Sequence, residues 1–258
     1  MREFILFDIH KKIATITLYR PEKRNALNPQ LIAEMTSAFK EAELSDEVKV
    51  VILKSSGDTF SAGADLAYLQ QLQSNTYQQN LDDSIQLKLL FSAIYNLEKP
   101  VIAQVEGNAI AGGCGLVSVC DIVFAVPEAV FGYTEVKIGF VPAIVATFLI
   151  NKIGEGRSRE LLLSGELISA ETAYQYGLVN FINEKSKIVD AVAAYAQMLI
   201  LNTSSQSIKS TKALLAKIRH LSVDESLNYA ARVNAEARLT DDCKKGIAAF
   251  LDKKHPKW

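Results

Sequence analysis

Two glycine turns carry the chemistry this sequence offers. One lies in AIAGGCGLVSVCD, residues 109–121, where Gly112 and Gly113 open a helical pattern and Gly115 falls inside it. Leu116, Val117 and Val119 read as the buried face of that short helix. Glycine in a helix interior costs roughly 1 kcal/mol relative to alanine, so the run needs a reason. Either something approaches the backbone closely, or a side chain has been removed. A strand, a glycine turn and a helix in succession leave free N–H groups at the helix N-terminus, at the positive end of its dipole. Such a start suits an anion, including a transient one. The other turn, FSAGADL at residues 60–66, also follows a strand and packs small residues around Gly63. A second N–H from it would complete an oxyanion hole. The residues alone leave open that both are ordinary glycine turns.

Other reactive side chains are sparse. His10, His220 and His255 lie far apart and neighbour no nucleophile motif, so surface or structural roles are expected. Cys114, Cys120 and Cys243 are odd in number and lack zinc spacing, which suits reduced cytosolic thiols. The chain has 258 residues, 49% hydrophobic and 22% charged, enough for a sizeable core. Its formal net charge of −1 supplies no bulk field for nucleic acid or membrane. No apolar run reaches the length of a membrane span, and the N-terminus alternates like strands rather than a leader peptide. A cytoplasmic location is expected.

The elements that must position the turns follow from periodicity. Ala14, Ile16 and Leu18 alternate with threonines, predicting a half-buried strand that Pro21 ends. Asn28 and Pro29 predict a helix start, followed by Leu31, Ile32, Met35 and Phe39 at helical spacing. VKVVILKS, PVIAQVEG and IVFAVPEA read as buried strands. Ser169 caps a helix that stops at Gly177, and SVDE at 222–225 is a capping box. Strands alternate with helices to about Asn183, and helices dominate afterwards: an α/β core with a helical tail. No internal repeat of fixed period is visible. The glutamine-rich YLQQLQSNTYQQN reads as either a mobile cover over a pocket or an exposed helix.

RPEKRNALN, FSAGADL, GNAIAGGCGLVSVCDIVFA, AVFGYTEVKIGFVPA and KKGIAAFLDKKHPKW occur in an order and spacing that resembles the crotonase, or enoyl-CoA hydratase/isomerase, superfamily. The resemblance spans essentially the whole chain. It implies a spiral of ββα units over residues 1–195, binding acyl-CoA. A helical oligomerisation region would occupy 196–258, in a homotrimer or homohexamer. It implies stabilisation of a thioester enolate with no separate cofactor or metal, coenzyme A being part of the substrate. Carried over by position, the oxyanion donors are the N–H groups of Ala64 and Gly112. Ala62, Asp65 and Leu66 lie along the coenzyme A path, and Lys23 and Arg24 lie near its phosphates. Phe250 reaches a neighbouring subunit's site.

Family hydratases commonly carry two glutamates. The position three residues beyond the oxyanion glycine is here Gly115, while the second acid is Glu135 in FGYTE. The glycine-rich segment after GxxP is also altered, to PAIVAT. One acid–base residue therefore remains, suited to hydration, double-bond isomerisation or decarboxylation. The local pattern is most similar to bacterial methylglutaconyl-CoA hydratase-like members, which share the glycine. The expectation is hydration of a branched 2-enoyl-CoA, with Gly115 freeing volume for a 3-methyl group. The alternatives are a single-glutamate isomerase and a weakly catalytic acyl-CoA-binding scaffold. An RNA-binding relative uses a lysine-rich helix; PQLIAEMTSAFKEAELSDE mixes acids with few lysines, so nucleic acid is not expected.

Overall fold

The computed structural model describes residues 2–258. Strands β1 (Ile5–His10) and β2 (Ile13–Leu18) form an antiparallel hairpin. Ala14, Ile16 and Leu18 are buried as their alternation predicts. Thr17 is buried too, so β2 is not half-buried: it is an interior strand between β1 and a parallel neighbour, with a helix packed on it. That helix, α1 (Pro29–Leu44), starts where Asn28 Oδ1 accepts the Leu31 N–H at 2.8 Å. Such a cap is worth about 1 kcal/mol.

Three strand–strand–helix units follow. The first is β3 (Val50–Ser55), β4 (Thr59–Ser61), α2 (Leu66–Leu72) and α3 (Tyr77–Asn96). The second is β5 (Val101–Val105), β6 (Asn108–Ile110) and α4 (Gly112–Val119). The third is β7 (Ile122–Ala125), β8 (Val130–Gly132), a 3-10 turn at Glu135–Ile138 and α5 (Ala143–Ser164). In each unit the two strands join different sheets. β3, β5 and β7 extend the large sheet with parallel pairings, whereas β4, β6 and β8 build a small one. The chain therefore spirals between two sheets, and the repeat is structural, with units of unequal length, which is why no fixed period shows in the sequence.

β9 (Leu167–Ser169) closes the small sheet antiparallel to β8. After α6 (Ala170–Gln175), capped by Ser169 and ended at Gly177 with φ +80°, β10 (Phe181–Ile182) closes the large sheet. Helices α7 (Ile188–Asn202), α8 (Ser205–Ile218), α9 (Val223–Leu239) and α10 (Asp241–Leu251) complete the chain. Position 195/196 falls inside α7, whose Val192, Ala196 and Ile200 are buried. That helix packs on β3, β5 and β7. The glutamine-rich stretch lies on α2, which buries none of its residues, and on the exposed first turns of α3. Among the described residues, no helix is long and apolar enough to cross a membrane.

α4 departs from expectation. It buries every residue from Gly113 to Val119, not one face. It sits between α3, α5 and the small sheet, so only its first residue, Gly112, is partly exposed.

Candidate active site

The small sheet aims three turns at one place. β4, β6 and β8 are parallel, with Ser61 opposite Ala109 and Ala109 opposite Phe131. Residues 62–65, 111–115 and 133–135 therefore leave adjacent strands at the same, C-terminal edge. That edge is where ligands meet open α/β sheets. Two hydrogen bonds lock the turns laterally. Ala111 N–H donates to Gly132 O at 2.7 Å, and the fully buried Tyr133 hydroxyl donates to Cys114 O at 3.3 Å.

The glycines make the close approach possible. A Cβ built on Gly113 would stand 2.4 Å from Ser61 O, and one on Gly63 would stand 2.8 Å from Ala111 Cβ and 3.5 Å from Gly112 N. The backbone that needs Gly113 is thus the protein's own 61–65 turn. Ala111 has φ 50° and ψ −123°, an unusual conformation for a residue with a side chain. Such a residue costs of order 1–3 kcal/mol. Its ψ sets the plane of the next peptide and hence the direction of the Gly112 N–H.

Both candidate donors are free. Ala62, Gly63 and Asp65 donate to Arg24 O, Ser61 Oγ and Leu27 O, yet among the described residues the Ala64 N–H meets no acceptor. Ala111 and Gly115 likewise donate internally, and the Gly112 N–H does not.

Glu135 stands at the head of the third turn, which the Phe140 N–H closes by donating to Glu135 O at 3.0 Å. Its Oε2 is buried and, among the described residues, has no hydrogen-bond partner. Burial pushes its carboxyl above the ordinary carboxylate range, only partly offset by its own backbone N–H. A carboxyl held so carries a proton at higher pH than usual, which suits general acid–base chemistry.

The RPEKRNALN turn is zipped to the second glycine turn. Ala62 N–H donates to Arg24 O, Leu27 N–H to Gly63 O and Asp65 N–H to Leu27 O, with Leu27 and Ala64 forming a parallel bridge. Lys23 and Arg24 are exposed in this turn, and Arg24 O accepts the Ala62 N–H at 3.0 Å. Asn25, which sequence reasoning passed over, organises this junction. It is fully buried, its amide donates to Ser56 O and Thr59 O, and its carbonyl oxygen accepts from Arg20 N–H.

Asp65 is committed. Its carboxylate pairs with Arg20 at 2.6 Å and caps α2 by accepting from the Ala67 and Tyr68 N–H groups. Burial would raise its pKa, but the Arg20 bond and charge and the cap bonds bring it below the usual range. Leu66 is 81% exposed at the start of α2. Phe250 sits on α10, which packs on α8 and α9, and is equally exposed; it is not joined to the other site residues in this chain. Lys137, in the turn after Glu135, pairs with Glu166 at 2.8 Å. Cys114 and Cys120 are buried with thiols pushed up to about 12, so neither is a nucleophile at neutral pH. All three histidines are exposed.

Gly115 overturns one expectation. The space beside it is not free. A Cβ there would lie 2.4 Å from Val145 Cγ1 and 3.0 Å from two ring carbons of Phe91. The glycine leaves no vacancy along its own Cβ direction.

The comparisons agree with this architecture. The chain matches the family model "Enoyl-CoA hydratase/isomerase" over residues 8–258. A Thermus thermophilus protein is 39% identical over 246 residues, covering 95% of this chain and 97% of that one. The crotonyl-CoA hydratase of Syntrophomonas wolfei is 31% identical over 254 residues, covering 98% and 96%. A crystal structure of an enoyl-CoA hydratase from Shewanella pealeana has a TM-score of 0.94 at 27% identity, covering 100% of this chain and 96% of that chain. The chain belongs to the enoyl-CoA hydratase/isomerase family, a family of enzymes that act on coenzyme A thioesters.

Proposed function

We propose that this protein is an enoyl-CoA hydratase that works with a single carboxylate. One observation carries the reading: two unpartnered N–H donors and one unpartnered buried carboxylate oxygen belong to three turns that leave one sheet edge. The thioester carbonyl of a 2-enoyl-CoA accepts from the Ala64 and Gly112 N–H groups. Glu135 takes a proton from water as its oxygen bonds C3, and the electron pair moves to the thioester oxygen as an enolate. The two donors bind that oxyanion more strongly than the neutral carbonyl, one such donor being worth roughly 3–4 kcal/mol elsewhere. The protonated Glu135 then returns the proton to C2, leaving a 3-hydroxyacyl-CoA.

Coenzyme A lies along the backbone of Ala62, Asp65 and Leu66, with Lys23 and Arg24 toward its phosphates. No separate cofactor enters this scheme. A trimer or hexamer is supported by the apolar side chains that α9 and α10 expose, among them Val223, Leu227, Leu239, Ile247 and Phe250. Phe250 would then complete a neighbour's site. Cytoplasmic residence fits the absence of a spanning helix among the described residues.

A second reading, isomerisation between 3-enoyl and 2-enoyl thioesters, is favoured by Gly115, since a proton shuttle between carbons needs only Glu135. The branched substrate 3-methylglutaconyl-CoA keeps its support from sequence pattern and loses that from volume at Gly115. Crotonyl-, 3-methylglutaconyl- and 3-enoyl-CoA, each followed by mass spectrometry, separate these. Water gain by crotonyl-CoA supports hydration, and conversion of the 3-enoyl thioester without mass change supports isomerisation. Tight binding of all three without conversion would leave only a scaffold.

A further inference from the structure

We propose that Val145, backed by the fully buried Phe91, forms an apolar wall that holds position 115 to glycine and screens the acyl group at its α- and β-carbons. The inference rests on the Gly112 N–H being an oxyanion donor. Gly115 stands one helical turn beyond Gly112 on α4, on the same face. Whatever borders position 115 therefore borders the atoms beside the thioester carbonyl.

That border is occupied. Unbonded carbons meet at about 3.5–4.0 Å, whereas a Cβ at 115 would have 2.4 Å to Val145 Cγ1 and 3.0 Å to the Phe91 ring. Val145 is 4% exposed and, being β-branched, has little freedom at χ1. Phe91 is fully buried and stacks on Phe148 at 6.0 Å, which in turn meets Tyr95 at 5.2 Å. A chain of packed rings thus backs the wall.

Two oddities of the sequence become one. Gly115 and the PAIVAT segment are far apart in the chain, and Val145 is a residue of that segment. The valine fills the space from which a side chain at 115 would act. A carboxylate placed there would be desolvated against Val145 and Phe91 with no partner. The side chains of the wall also offer no hydrogen bond to water, so the proton traffic falls to Glu135. A methyl branch on this side of C3 meets Val145, so the wall favours straight-chain acyl groups.

The test uses the full-length protein as wild type, Val145→Ala, Gly115→Glu and the double variant. Melting temperature reads the packing. Calorimetric affinity for butanoyl-CoA and 3-methylbutanoyl-CoA, neither of which can be hydrated, reads the screen. Gly115→Glu is expected to melt far below wild type or fail to fold, with the double variant recovering much of the loss. Val145→Ala is expected to raise the 3-methylbutanoyl to butanoyl affinity ratio by about 10-fold or more, the scale of one methyl in a hydrophobic pocket. A double variant no more stable than Gly115→Glu overturns the wall, as does an unchanged affinity ratio. A wild type that binds neither thioester refutes the acyl-CoA reading instead, and the melting comparison still decides the packing.

Discussion

Replacing Glu135 with glutamine tests the chemistry and the electrostatics together. The side chain keeps its shape and loses its charge and its exchangeable carboxyl proton. General acid–base catalysis contributes typically 10²–10⁴-fold, or about 3–5 kcal/mol at 1.36 kcal/mol per decade. Gly115 supplies no second carboxylate, so the loss in kcat is expected near the upper end. KM for crotonyl-CoA should change little, because the Ala64 and Gly112 donors remain. Stability should move the other way. Burial raises the Glu135 pKa in the folded state, so between the unfolded and folded values the native protein binds more protons than the unfolded chain. Its stability therefore falls as pH rises through that window. The ionised side chain, with a buried unpartnered oxygen, costs stability at neutral pH, and glutamine relieves of order 1 kcal/mol. Urea unfolding should show the variant more stable at neutral pH, with the gap closing at pH values below an ordinary glutamate's range. In wild type, the base-dependent limb of the pH–rate profile should lie above that range. A variant that retains near-normal turnover would remove Glu135 from the reaction. Tyr133 and Asp65, the other side chains near these turns that could carry a proton, are poorly placed to substitute, since Tyr133 is fully buried against Cys114 O and Asp65 is held by Arg20.

Gly112→Pro deletes an N–H at the first position of α4, where helices otherwise tolerate proline, so a folded variant should lose at least about 10²-fold in kcat; circular dichroism with a crotonyl-CoA assay checks both halves. Gly113→Ala forces its Cβ to 2.4 Å from Ser61 O, and should cost about 1–3 kcal/mol in urea unfolding while lowering turnover by shifting the Ala64 N–H. Arg20→Ala leaves the Asp65 carboxylate with only its Ala67 and Tyr68 N–H partners, and should cost about 1.5–3 kcal/mol at neutral pH. Because the Asp65 pKa is lowered in the fold, the wild-type advantage should shrink as pH falls through that lowered value, read by unfolding curves across acidic pH.

Local grammar was legible and long-range contact was not. The Asn28 cap, the Ser169 cap with Gly177, and the Ser222–Glu225 capping box all appear as read, since each depends on a few adjacent residues. The split into two sheets was hidden. β4, β6 and β8 are short, with little room for alternation, and their pairing is set by the units that carry them. Thr17 misled because burial depends on what covers a strand as well as on its own pattern. Ala111 carries no composition signal, although a positive φ there aims a candidate donor. Asn25 looks like any turn asparagine until its amide is seen bridging two carbonyls.

The three glycines of AGGCG make the same point at closer range, because one residue type answers three different demands. Gly113 is glycine because backbone from another turn lies where its Cβ would be. At Gly112 only Leu27 Cδ1, at 3.0 Å, stands near an added Cβ, so steric demand is weaker and the value of the position lies in its free N–H. Gly115 is glycine because Val145 and Phe91 have closed over it. A missing side chain therefore implies a vacancy only when its neighbours have stayed where they were. Here a valine in a distant segment occupies the space, so the glycine by itself signals no opening. With the proposed wall, acyl selectivity depends on positions 115 and 145 together, and substitution at either one should be interpreted only alongside the other.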